Sequence, residues 1–253
     1  MRRWRTWALC AALPLAPLLM VLLAGDAAAQ QINIDLGETT EGPAAARIFQ
    51  LTALIGFLAA APSLLVMVTA FARIIIVLAL LRSAIGAQGV PPNTVLIGLA
   101  LFLTFFIMQP AMEQAWLQGI EPMGDGRIPE LEGLRRAAEP FRKFMLANLR
   151  GSDLSLFLDL AAMPAPASPD QAPWRALIPA FVVGELRRAF EIGFMLYVPF
   201  LVIDMVVASV LMSMGMMMLP PVTIALPFKL VFFVLVDGWR LVSGSLAQGF
   251  LPG

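Results

Sequence analysis

Residues 178–221 read IPAFVVGELRRAFEIGFMLYVPFLVIDMVVASVLMSMGMMMLPP, and this stretch decides the fold. From Ile178 to about Leu219 it is apolar apart from a cluster at Glu185, Arg187, Arg188 and Glu191 and a lone Asp204. About 20 apolar residues span a bilayer core as a helix, so this run is longer than one crossing requires. It ends at Pro220-Pro221, where two rings in succession stop a helix, and resumes from Thr223 to Val236. The pattern predicts a helical hairpin in a membrane, with its turn in the segment Met212–Pro221.

The rest of the chain agrees with that class. Hydrophobic residues make up 60% of the sequence and charged residues 13%, outside the range of soluble domains. A second hydrophobic hairpin is expected over 48–110. Residues 48–72 are free of charge, Arg73 follows, and Ile74–Leu81 is apolar again, so a single cation splits one long segment that Pro62 kinks or divides. A Gly/Pro-rich connection at 86–92 reads as a tight turn. Thr94–Met108 is then only about four turns, expected to end at Gln109-Pro110. The fold class is therefore all-α: a polytopic membrane protein of kinked helical hairpins with about four hydrophobic segments.

Residues 111–176 are the hydrophilic exception, with seven basic and nine acidic side chains. Leu131, Leu134, Ala138, Phe141, Met145 and Leu149 recur at helical spacing, which predicts one apolar helix face, with a bend at Pro140. That face packs either on its own domain or on another subunit. Four prolines in 163–173 close the insert as a linker. The second hydrophobic hairpin then fills 177–253.

At the other end, Met1-Arg2-Arg3-Trp4-Arg5 precedes an apolar run and then Ala27-Ala28-Ala29. Basic, apolar and small-residue zones in that order predict a cleavable signal peptide over 1–29, with cleavage between Ala29 and Gln30; an uncleaved anchor is the alternative. A polar tail over 30–47 would be exported. With the mature N-terminus outside and four segments, the loops at 82–93 and 213–222 face the cytoplasm and the insert faces the periplasm. Cleavage removes Cys10 and lowers 17 basic and 17 acidic residues to 14 and 16, which leaves no electrostatic footprint for nucleic acid.

Function classes fall away by composition. The chain has no His and a single Cys, so metal sites of the His/Cys type, Ser-His-Asp triads and Cys-His pairs are excluded. No catalytic, cofactor or metal site is expected. The Gly spacing of 244–249 lacks the Lys-Ser or Lys-Thr of a phosphate loop. Any transport must be driven from outside this chain.

Two features remain. Arg73, Asp204, Lys229 and Asp237 lie in or at the edge of apolar runs, where a lone charge costs a few kcal/mol on insertion scales. Each needs a partner or water, either as an ion or substrate path or as a lock between helices. Asp204 and Lys229 could pair across the hairpin, although they stand at unequal distances from Pro220. Glu185–Arg188 and Arg187–Glu191 are expected to pair along a solvated helix surface. The second feature is Met212, Met214, Met216, Met217 and Met218, five methionines in seven residues. Long unbranched side chains re-pack against changing surfaces, or simply fill irregular space. Gly215 would give this loop backbone freedom, and Pro220 and Pro221 would anchor it.

Together, Pro179-Ala180-Phe181, Glu185-Leu186, Ile192-Gly193-Phe194, Pro199-Phe200-Leu201, Ile203-Asp204, Met216-Met217-Met218, Pro220-Pro221, Thr223 to Leu230 and Val236-Asp237-Gly238-Trp239 resemble the FliP family of flagellar biosynthesis proteins. Arg73-Ile74 and Pro91-Pro92-Asn93 agree more loosely, and Gly184 departs from the small hydroxyl residue usual there. The resemblance implies a pore-forming subunit of the flagellar type III export gate in the bacterial inner membrane, at the flagellar basal body. It implies about five copies joined with FliQ and FliR type subunits and other export apparatus proteins, passing unfolded protein clients. It also implies that the methionine loop serves as a gasket around the pore, and that the hairpins rise partly out of the membrane. The signal peptide, the long insert and Gly244–Gln248 favour this branch over the related virulence secretion gate. An ion-coupled solute carrier is the rival from another class and predicts internal repeats, which inspection does not reveal. An intramembrane enzyme ranks below both.

Overall fold

A computed structural model describes residues 49, 51–53, 55, 56, 59 and 66–250 other than 88, 165, 167 and 217. The chain divides into two units, Met1–Ala53 and Leu54–Gly253. Of the first unit only residues 49 and 51–53 are described, and they are helical. The signal peptide, its Ala29–Gln30 cleavage point, the polar tail, Pro62 and Met217 lie outside the described residues.

The second unit is built from helices, with no strand among the described residues. Helix α1, Phe71–Ile85, ends at Gly86, whose φ of 79° carries the chain into the left-handed region and turns its N–H back onto Arg82 and Ser83 carbonyls. Helix α2, Asn93–Ala115, starts after Pro92. It runs into a π-helical turn, Trp116–Ile120, and the short α3, Glu121–Gly124. The helix expected to end at Gln109-Pro110 therefore continues through Pro110. Proline removes one N–H, but in apolar surroundings unwinding would strand many more backbone groups, so a continuous helix is the lower-energy solution.

In the insert, α4 spans Glu130–Asn148 with Pro140 inside it, and α5 spans Gly151–Leu160. The π-helical turn meets α4 glycine to glycine: a Cβ on Gly119 would strike the backbone of Gly133 and Ala137. The expected apolar face of α4 is only partly used. Met145 is fully buried and Ala138, Phe141 and Leu149 are half-buried, whereas Leu131 and Leu134 at the N-terminal end are exposed. The glycine contact takes the Gly133 side of the helix inward and leaves that end of the leucine stripe outward.

Helix α6, Trp174–Ser213, follows Pro173 and runs unbroken for 40 residues through Pro179 and Pro199. At 1.5 Å per residue it is about 60 Å long, roughly twice the hydrocarbon thickness. Helix α7, Pro221–Leu235, and α8, Gly238–Gln248, meet at a bend of 62°. Among the described residues, two continuous stretches are long and apolar enough to cross a membrane, 93–124 and 174–213, or three if the bent α7–α8 pair counts as one.

The core forms where α1 packs on α2 and α6. Ile74, Val77, Leu78, Leu81, Leu96 and Ala100 meet Ala189, Phe200 and Phe233. Gly193 admits Leu80 so closely that any Cβ there would clash, so α1 and α6 approach backbone to side chain. A smaller cluster of Met145, Leu177 and Phe181 fixes the insert to the first turns of α6.

Candidate functional site

Arg73 lies on the first turn of α1, where helix packing carries it into the core and 1% of its surface stays exposed. Its partner is Glu185 on α6, itself fully buried. The guanidinium Nε donates to Glu185 Oε2 at 2.7 Å and Nη2 donates to Oε1, a two-pronged pair. Nη1 donates to the Gly249 carbonyl at 3.2 Å, and the guanidinium lies 3.6 Å from the centre of the Phe250 ring. Phe250 in turn stacks on Phe144 of α4 at 5.7 Å. One cation thus joins α1, α6, the insert and the segment after α8.

This arrangement corrects the expected surface pairing along α6. Glu185 is not solvated, and it bonds Arg73 rather than Arg188. Arg187 and Glu191 bond the insert instead of each other: Arg187 Nη2 to Asp153 Oδ1 at 2.9 Å, and Arg150 Nη2 to Glu191 Oε2 at 3.3 Å. Spacing along one helix identifies which charges could pair locally; it carries no information about a second helix whose acids and bases arrive from elsewhere. Asp153 is buried and its Oδ2 has no hydrogen-bond donor. The Cβ position of Gly184 lies 3.4 Å from that oxygen.

Asp204 and Lys229 do meet. Lys229 is 2% exposed, and its Nζ donates to Asp204 Oδ2 at 2.6 Å and to the Ala84 carbonyl at 3.1 Å. The unequal arms counted from Pro220 were misleading because the turn is not at Pro220. The helices end at Ser213 and begin again at Pro221, so Asp204 stands nine residues before the loop and Lys229 eight residues after it. The Ala84 carbonyl belongs to the last turn of α1, where carbonyls lack helical partners and the helix dipole favours a cation. Asp237 is different. It is exposed at the α7–α8 bend, in the left-handed conformation with φ 51°, and has no ion pair among the described residues. Gly238 beside it lies so close to Phe233 that a Cβ there would overlap the ring. Asp237 is thus an elbow residue in contact with the surroundings, not a member of the buried pairs.

The methionine segment caps α6. Gly215, φ 71°, donates its N–H to the Met212 carbonyl, and Met216 donates to Leu211 across the helix end. This is the paired-bond Schellman termination, so Gly215 closes the helix in a defined conformation and does not simply loosen the loop. Pro220 and Pro221 then start α7, with Pro221 in its first turn where its missing N–H costs nothing. Met212, Met214 and Met216 are exposed, and Met218 is 99% exposed. The turn after α1 lies at the same end: the Cβ position of Gly86 is 3.8 Å from Lys229 Nζ and 3.9 Å from Val222.

Sequence reasoning located both charged pairs in part, finding Arg73, Asp204 and Lys229 by their apolar surroundings. It placed Glu185 in a solvated pair with Arg188, and it missed Asp153 and the Ala84 carbonyl. A signal for Glu185 does exist, since it stands between Phe181, Gly184 and Ala189, a buried face of α6.

Compared with known proteins, the chain matches the FliP family over residues 54–246. It is 51% identical over 240 residues to the flagellar biosynthetic protein FliP of Caulobacter vibrioides, covering 94% of this chain and 90% of that one. Against the protein of the same name from Rhizobium meliloti it is 45% identical over 235 residues, 92% and 96% of the two chains. Against that of Bacillus subtilis it is 51% identical over 201 residues, 79% and 91%. With exposed methionines closing one end of a 40-residue helix, buried ion pairs holding the hairpins, and this similarity along most of its length, the chain belongs to the FliP family.

Proposed function

We propose that the chain is a pore-forming subunit of the flagellar type III protein export gate, which passes unfolded flagellar proteins across the bacterial inner membrane. It works as a multi-pass protein at the flagellar basal body, in a homo-oligomer of about five copies with FliQ and FliR type subunits, after removal of residues 1–29. In this reading 48–110 and 177–253 are the two hairpins, and 111–176 is a periplasmic insert.

The observation that carries the reading is the methionine loop. Met212, Met214, Met216 and Met218 cluster at the capped end of α6 with their side chains exposed, so they are free to meet the same loop of a neighbouring copy. Several copies would bring these loops together as an apolar ring. Flexible thioether side chains fit both an empty pore and a passing chain without unmet hydrogen bonds, and an apolar constriction dewets against ions. The solute-carrier reading loses its support here, because Arg73 and Lys229 are bonded to Glu185 and Asp204 inside the bundle.

The test is the mass and partner content of the complex purified in mild detergent. A homo-oligomer, alone or with FliQ and FliR type partners, supports the export reading. A monomer with saturable solute uptake overturns it.

A further inference from the structure

We propose that Lys229 is the positioning residue of the methionine loop, a pivot that holds both arms of the α6–α7 hairpin on α1 and so sets where the loop stands; this rests on the reading of that loop as the pore seal. The ammonium ties three helices at one point, through Asp204 Oδ2 on α6 and the Ala84 carbonyl at the end of α1. At 1.5 Å per residue, the eight residues from Pro221 put this point about 12 Å from the loop. Beside the tie the two arms leave an apolar groove open along one side. Val206, Val210, Ile224 and Phe228 line this groove of about 460 Å³, while Ala225 and Leu211 on the same stretch are buried. Close packing transmits position, and a gap in it leaves the segment beyond free to tilt. The ion pair is thus the polar connection that fixes the two arms to α1 at one point, with the loop end beyond it.

The chemistry of the tie fits a pivot better than a simple fastener. Asp204 uses one oxygen for Lys229, and its buried Oδ1 has no partner. A fully bonded carboxylate, or apolar side chains in both places, would hold the arms more firmly, because a buried pair repays its desolvation only when every lone pair is satisfied. Lys229 also rests against the turn at Gly86, which touches Val222 at the start of α7. Displacement of the α1–α2 turn would then reach α7 at two points, Lys229 and Val222.

The experiment uses the complete gate complex, purified from cells and reconstituted into planar bilayers, with resting ion conductance and complex mass measured together. Lys229→Met, which keeps length and apolar volume but removes the ammonium, should assemble and leak at least about tenfold more than the unaltered complex, the change produced by losing ~1.4 kcal/mol of closed-state preference. Asp204→Asn should leak in the same direction, and Lys229→Arg should restore most of the seal. A complex in which Met216, Met217 and Met218 are all replaced by Ala serves as the reference for a broken seal. If that reference leaks while Lys229→Met is tight, the pivot is overturned and the seal reading stands. If the reference is itself tight, the seal reading fails and takes the pivot with it. If Lys229→Arg leaks as much as Lys229→Met, or if neither Lys229→Met nor Asp204→Asn assembles, the pair is an ordinary packing element and the proposal is overturned.

Discussion

Arg73 and Glu185, 112 residues apart in the chain, form a fully buried two-pronged ion pair that joins the first hairpin to the second. Breaking such a pair leaves one charge stranded in low dielectric, which costs about 3–5 kcal/mol, while replacing both members by apolar groups is far milder. Arg73→Met and Glu185→Leu should each lower the thermal stability of the purified protein sharply, and the double variant should recover much of the loss. Additive losses in the thermal melts would refute this coupling.

The end of the chain is part of the same cluster. Phe250 lies over the Arg73 guanidinium and stacks on Phe144. Phe250→Ala should cost about 3 kcal/mol, the usual range for a buried aromatic truncated to Ala, and Phe250→Leu distinctly less. Denaturant titration in detergent measures both. A loss below about 0.5 kcal/mol for Phe250→Ala would mean that the segment after α8 does not brace the core.

Gly184 offers a stabilising change. Asp153 Oδ2 is buried without a donor, 3.4 Å from the Cβ position of Gly184. Gly184→Ser would bring a hydroxyl into hydrogen-bond range of that oxygen and also remove a glycine from a helix interior. Together these should add about 1–2 kcal/mol. Gly184→Ala, which gains only the helix propensity, should fall short of Gly184→Ser. Equal melting temperatures for the two variants would show that the hydroxyl makes no such bond.

For the methionine loop, replacing Met216, Met217 and Met218 together by Ala should raise ion leak across the membrane of expressing cells while leaving complex formation intact. The side chains are shortened beyond the capped end of α6, where Met216 and Met218 contribute exposed surface rather than core. Salt sensitivity of the cells and complex recovery are measured in parallel. A tight membrane with normal secretion would return these methionines to the role of filler.

Much of this architecture is legible in the sequence because hydrophobic runs, prolines and glycines act locally. The apolar stretch ending at Pro220-Pro221 and the Gly/Pro turn at 86–92 pointed to the all-α membrane class, and the clustering of methionines marked the loop after α6. Local signals were less reliable where context sets the energy. Pro110 reads as a helix end, yet α2 runs through it, because unwinding in apolar surroundings costs more than one lost hydrogen bond. The tertiary structure alone decided the partners. Glu185 for Arg73, Asp153 for Arg187 and the Ala84 carbonyl for Lys229 all come from segments far away in the chain. A buried charge announces in sequence that it needs a counter-charge, since desolvation is a property of its surroundings. Which group answers depends on how α1, α6 and α7 pack, and that is fixed by side-chain shape, as at Gly193 against Leu80.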